Sequence, residues 1–311
     1  MTAQLYGVRG GAPYRFTLVV SALTAVVGGV ILAGGFAAAW GAFERVRDYA
    51  DTNIANEDSY VAYADGGLEE LVRVGVVVAA LLLVLALLVV SVLHAAYAVG
   101  DAHTRRDGAP QTVRDLWRRS RRRLPAAVAV NALTGLAVGA QVLAGLVVFD
   151  LADRGRLPGV EPTPLHGTAT LPYTVVGWVL PITVWCLAPV LHARLALATA
   201  ETVVEHRSPF VALYRSWRLT RRARGRTLGL GVLATAATVL VFWLGRYAAA
   251  PLCHPLGLAM LWLSGDNVWI TGVLVLILPT AVALLLLPPL VMPLVCGAYS
   301  RLYGDLRAAE G

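Results

Sequence analysis

Lysine is missing altogether: every one of the 26 basic residues is arginine. Together with the weight of Ala, Gly, Val and Leu, that points to a high-GC bacterial genome. Charge of either sign is scarce, at 14% of residues against 58% hydrophobic, with a mean hydropathy of +0.67. A soluble domain of this composition would have too little polar surface to cover its apolar segments. Cysteine is nearly absent too. Cys186, Cys253 and Cys296 form neither a CxxC pair nor a disulfide framework and read as small apolar residues in or near spans.

The reactive motifs are missing as well. The six histidines make no HExxH or other metal-ligand spacing, and no Walker A loop, G-x-S-x-G elbow or dinucleotide fingerprint occurs in a suitable context. The expectation is a chain without catalytic residues, metal or cofactor. The apolar segments carry no clear Asp, Glu, Lys or Arg at mid-depth, which argues against an ion-coupled transporter. Asn131, Thr134 and Gln141 are their strongest polar candidates, and Arg246 reads as lying toward the outer end of its segment, where it can snorkel.

What is present is six long apolar runs, at about 16–42, 71–99, 125–149, 173–200, 227–249 and 269–297. Each is long enough to cross a hydrocarbon core of about 30 Å. The fold class is therefore an all-α membrane protein of about six transmembrane helices in one integral domain, 1–311. The first run exceeds a signal-peptide core and reads as an uncleaved anchor. Gly28, Gly29, Gly34 and Gly35, and the GxxxG pair Gly135/Gly139, are small-residue faces suited to helix packing. Pro181 and Pro189 predict kinks, and Pro279, Pro288, Pro289 and Pro293 predict an irregular sixth span. Residues 44–70 read as an acidic external loop, 150–172 as a second loop, 251–268 as an apolar segment in or re-entering the outer interface, and 298–311 as a short mixed tail.

Arginine concentrates in two connectors. Residues 201–226 hold seven and 101–124 hold eight. With the N-terminal segment, Arg194 and the tail, one side collects 20 of the 26 arginines, while the other holds 12 of the 19 carboxylates. The positive-inside rule then puts both termini in the cytoplasm of a bacterial plasma membrane. Topology alone accounts for the net charge of +7, so nucleic acid is not expected as a partner. The connectors also echo each other at an offset of 100: Trp117-Arg118 with Trp217-Arg218, and Arg121-Arg122 with Arg221-Arg222. Leu93-His94-Ala95 recurs as Leu191-His192-Ala193 just upstream. A duplicated helical hairpin of parallel orientation follows. His94 and His192 sit at its matching helix ends, where capping or headgroup contact is the simpler role.

Both connectors have helical amphipathicity, with Val113, Leu116, Trp117 and Leu124 on one face of the first and Phe210, Leu213 and Trp217 on one face of the second. Such helices lie in the interface with guanidinium groups at the phosphates, each contributing about 1 kcal/mol at an anionic leaflet. The candidate lipid or partner contacts are Trp117, Arg118, Arg121, Arg122, Arg215, Trp217, Arg218, Arg221 and Arg222. Ordinary positive-inside loops held at the membrane are the plainer account of the same residues. Glu201 and Glu205, one turn apart, read as neutralised by nearby arginines.

One resemblance adds to this. Arg194, Glu201, Ala212-Leu213 and the run Ser216-Trp217-Arg218-Leu219-Thr220-Arg221 resemble the membrane domain of actinobacterial glycerophosphoryl diester phosphodiesterase-type proteins. The ending Leu302-Tyr303, Asp305-Leu306-Arg307 and Glu310-Gly311 is similar to that family's close. The likeness covers 191–230 and 290–311, is partial over the first connector, and fails before residue 90. It implies a multi-span domain without an activity of its own, since the phosphodiesterase belongs to a separate soluble barrel. The expected function is a non-catalytic accessory or scaffold protein at the inner leaflet, contacting anionic lipid, a membrane-protein partner or a second copy of itself. A transport component (permease subunit or lipid carrier) is the alternative, and an intramembrane enzyme the third.

Overall fold

A computed structural model describes residues 11–55, 67–107, 111–161 and 170–309. The N-terminal segment with Arg9, the middle of the acidic loop (56–66), part of the first connector (108–110), part of the second loop (162–169) and the Arg222 side chain lie outside the described residues. Among the described residues the secondary structure is helical throughout, and six helices are long and apolar enough to span a membrane. The protein is an all-α multi-pass membrane protein. Its outward surface is apolar, with Val30, Leu83, Leu136 and Leu276 each at least two-thirds exposed. That is an inverted surface which only lipid covers at low cost.

In chain order the helices are α1 (Ala12–Ala55), α2 (Leu68–Asp107), α3 (Val113–Arg121) and α4 (Leu124–Asp153). One turn, Leu171–Tyr173, then leads through a π-helical stretch, Thr174–Val179, into α5 (Leu180–Leu195). The widened stretch ends just ahead of Pro181, which has no N–H to continue an α-helical ladder. After it come α6 (Ala198–Glu205), α7 (Pro209–Arg222), α8 (Arg224–Leu263), α9 (Val268–Leu290) and α10 (Met292–Ala308).

Several boundaries correct the sequence expectations. Residues 251–263 are not an interfacial loop: α8 runs straight through Pro251 and Pro255, and the turn is confined to 264–267. The tail is helical as far as Ala308. The acidic segment begins inside α1, and Asp150 and Asp153 belong to α4. Pro279, Pro288 and Pro289 stay within α9, and the break falls at Val291.

The chain divides into two compact units. The first comprises 1–90 and 237–294, and so holds α1, the first part of α2, the second part of α8, and α9. Ala39, Phe43 and Ile270 form its buried centre, with Trp40, Leu71 and Met260 packed around them. One end is locked by Asn267. Its Oδ1 caps α9 by accepting from the Trp269 and Ile270 N–H groups at 3.1 and 3.3 Å, and its Nδ2 donates to the Phe43 carbonyl at 3.1 Å. An asparagine with one acceptor and one donor atom serves both ends of that bridge. Gly265 and Asp266, both at positive φ, turn the chain into this cap.

The second unit comprises 91–236 and 295–311. Ala98, Leu197, Ala200, Leu219, Tyr299 and Tyr303 make its main core, and Ala95, Ala127 and Val203 a second. Small residues on these faces let the backbones approach: a Cβ on Gly231 would come within 2.6 Å of the Ala193 Cβ. The GxxxG pair does not serve this purpose. A Cβ added to Gly135 or Gly139 would meet nothing within 4 Å, both glycines face outward, and the close approach of α4 falls at Gly145, against Trp185.

Candidate functional site

Both connectors fold as short helices between long ones, and both are docked by small polar residues. Thr112 opens α3 as its cap: its hydroxyl accepts from the Asp115 N–H at 3.2 Å and donates to the Asp115 carboxylate at 2.7 Å. That hydrogen bond holds the Asp115 carboxyl below its ordinary value. α6 ends on His206 in the left-handed region, and Pro209 then supplies the preset φ of the first turn of α7.

The buried faces of these helices differ from the expected ones. Leu116 and Ser120 face inward on α3, and Ala212, Ser216, Leu219 and Thr220 on α7. Leu116/Ser120 and Ser216/Thr220 stand 100 residues apart and face inward in both helices, whereas Ala212 and Leu219 are buried and Thr112 and Arg119 at the same offset are exposed. Trp117 is 43% exposed and Phe210 73%, and Tyr214 lies out with Phe210. The inward stripe is narrower and more polar than Phe210, Leu213 and Trp217 predicted, because a helix lying this close to its neighbours takes small side chains at the contact.

The candidate lipid contacts separate into two groups. Arg118, Arg121, Arg122, Arg218 and Arg221 are exposed, and Arg118 reaches Asp115 at 3.3 Å. Arg215 and Trp217 instead turn into the second unit. The Arg194 guanidinium lies 4.6 Å from the Trp217 ring, and the Ser216 hydroxyl donates to the Arg194 carbonyl at 2.7 Å.

Arg215 leads to the centre of the cluster. Glu201, 2% exposed, receives Arg215 Nη1 at 2.8 Å and has Arg207 Nε at 3.5 Å on the same oxygen. Its other oxygen accepts the Tyr303 hydroxyl at 2.5 Å. A carboxylate this deep is tolerated only when both oxygens are served. Burial, reinforced by the Glu201 carboxylate, pushes the Tyr303 phenol well above its usual range and keeps it a donor. Arg307, one turn along α10, pairs with Glu205. Arg105, at the end of α2, takes Asp101 at 2.8 Å, Asp305 at 3.3 Å and the Arg301 carbonyl at 3.1 Å. It lies across Gly304, where a Cβ would sit 2.5 Å from its guanidinium carbon.

Between α2, α6 and α10 these groups border a cavity of about 340 Å³, lined among others by Asp101, Arg105, Ser300, Tyr303 and Arg307. Its charged groups are paired with one another rather than turned toward a ligand. Neither Asn131 nor Gln141 lines it. Asn131 bridges α2, α4 and α6, donating to Ser91 Oγ at 3.2 Å and accepting from Thr199 at 3.3 Å, while Gln141 donates to the Val184 carbonyl at 2.9 Å. Both side chains tie helices together. Among the described residues, no group of three His, Cys, Asp or Glu side chains is placed to hold a metal ion.

Neutralisation of Glu201 by nearby arginines is what the sequence predicts, and Arg207 and Arg215 provide it. Tyr303 and Arg307 fall outside that expectation, since they arrive from a hundred residues further on. The available signal was the offset itself: Asp101, Glu201 and Arg301, and likewise Arg105, Glu205 and Asp305, stand 100 residues apart. Seven of the residues quoted for the family resemblance, Arg194, Glu201, Ser216, Trp217, Tyr303, Asp305 and Arg307, take part in these contacts; Arg218 and Arg221 are exposed, and Glu310-Gly311 lie outside the described residues.

Compared with family models, curated proteins and solved structures, the chain matches none.

Proposed function

We propose that this protein is a non-catalytic membrane scaffold whose arginine-rich connectors hold the anionic inner leaflet. The observation that carries the reading is the division of labour among the arginines. Arg207 and Arg215 are turned to the buried Glu201 and Arg194 stacks on Trp217, while Arg118, Arg121, Arg122, Arg218 and Arg221 stand exposed on the two connectors outside that cluster. Exposed Trp117 and Tyr214 stand on the same helices, the amphipathic side-chain types that favour the headgroup boundary, with the apolar Phe210 exposed beside Tyr214 on its helix face. The Glu201 cluster presents α7 rigidly, so that its guanidinium groups meet phosphates without first ordering a loop. In this orientation both termini lie in the cytoplasm. The likeness to phosphodiesterase membrane domains fits a span bundle that works beside another activity rather than performing one.

The test is lipid selectivity in reconstituted vesicles, read by electron spin resonance of spin-labelled lipids at the protein boundary. The expected result is a several-fold preference for phosphatidylglycerol over phosphatidylcholine that weakens with salt. Replacing Arg118, Arg121, Arg122, Arg218 and Arg221 by Gln abolishes it. Equal selectivity in the two proteins would contradict the reading.

A further inference from the structure

The continuation of α8 to Leu263 relocates Arg246. Instead of ending its span, it sits 22 residues after Arg224 and 17 before Leu263. Its partner points to the same central position, since Arg246 Nη1 donates to Thr280 Oγ1 at 2.9 Å. Thr280 stands at the middle of α9, a 23-residue helix with no charged residue, about 34 Å long and so close to one hydrocarbon thickness. Gly245 permits this pairing: a Cβ there would lie 3.0 Å from the Ala283 Cα, so α8 and α9 touch one residue away.

A guanidinium at this depth is costly and takes a partner when one exists. Here it has Thr280, and the rings of Trp243 and Phe242 at 5.6 and 5.9 Å. Those contacts offset part of the desolvation but carry no negative charge. Among the described residues no carboxylate pairs with Arg246. Lipid phosphates lie about 15 Å away at either surface, farther than an arginine side chain extends. Among the described residues a second copy of this chain offers no such charge, because the carboxylates of its spans, Glu44, Asp48, Asp101, Asp153 and Glu205 among them, all lie toward the helix ends. The face beside Arg246 is open, with Trp243 and Tyr247 on α8 and Leu276 on α9 all exposed.

We infer that Arg246 is the docking point for a transmembrane helix of a different protein that carries an Asp or Glu near its middle. The charge pair and its hydrogen bonds give the recognition, and Trp243, Tyr247 and Leu276 give the surface along which the helix packs. This site is independent of the connector arginines and stands whether or not they hold lipid.

The test uses the full chain in phosphatidylcholine vesicles with a donor fluorophore, and as probe an acceptor-labelled polyleucine helix with one central Asp. The same helix without the Asp, and one with the Asp near its end, are controls. The central Asp is expected to tighten association about tenfold over the polyleucine helix. Arg246→Gln removes that advantage, Arg246→Lys keeps most of it, and the end-placed Asp never gains it. The Lys variant and a thermal melt of each protein separate loss of the site from loss of the fold. Equal binding of the three helices to the wild-type chain would overturn the proposal. So would an Asp preference untouched by Arg246→Gln in a protein that melts normally. Binding of spin-labelled stearate that depends on Arg246, without any preference among the helices, would also overturn it and assign the site to a small acid.

Discussion

Glu201 shows how one residue sets the cost structure of a membrane-edge cluster. Its oxygens are divided between Arg215 on one side and the Tyr303 hydroxyl on the other. Removing Glu201 leaves the buried Tyr303 hydroxyl without its acceptor, and removing Tyr303 leaves one buried oxygen of Glu201 unmatched. Glu201→Ala is expected to destabilise the solubilised protein by about 3 kcal/mol, at the low end for a buried pair because Arg215 is partly open to solvent. Tyr303→Phe is expected to cost about 1–2 kcal/mol. The phenol also gives a pH signature. Its folded value is raised, so its stabilisation is complete below the unfolded value of about 10 and fades as pH climbs toward the folded one. Over pH 8–11 the melting temperature of the wild type therefore falls more steeply than that of Tyr303→Phe. Parallel curves would show that the phenol does not keep its proton in the folded protein.

Among the elements, glycine position decides what a helix can touch. Gly231→Ala drives a methyl into Ala193 and is expected to cost about 1–3 kcal/mol. Gly135→Ala and Gly139→Ala meet open space and are expected to hold or slightly raise the melting temperature, since alanine favours a helix over glycine by up to about 1 kcal/mol. A loss at Gly139 equal to that at Gly231 would mean that α4 packs through its GxxxG face after all. These helices also show what a single sequence can convey. The existence of six apolar helices was legible, because each run is long and interrupted by charge or by Gly/Pro clusters. Their ends were not. Pro251 and Pro255 have the character of breakers, yet in an apolar helix neighbouring groups take up the freed carbonyls and the helix continues. The inward face of α7 is equally hard to read from composition, since hydrophobicity marks the lipid side of a membrane helix as readily as the packed one. Ser216 and Thr220 face in; Phe210 faces out.

Across the whole molecule, the arginines carried the most information and the buried cluster the least. Charge asymmetry along the chain predicts a topology without any knowledge of contacts. Glu201 meeting Tyr303 is a contact across 102 residues, visible only once α6 and α10 are folded together. Arg246 falls between: its presence was plain, but its depth depended on where α8 ended. All of the leaflet reading rests on which side of the membrane the connectors occupy. The direct measurement is cysteine accessibility in intact cells, on a background with Cys186, Cys253 and Cys296 replaced by Ala and single cysteines introduced by Arg119→Cys, Arg221→Cys, Asp150→Cys or Gly265→Cys. An impermeant maleimide is expected to label positions 150 and 265 from outside, and positions 119 and 221 only after permeabilisation. Labelling of 119 and 221 in intact cells would put the arginine layer on the outer face and contradict the leaflet reading.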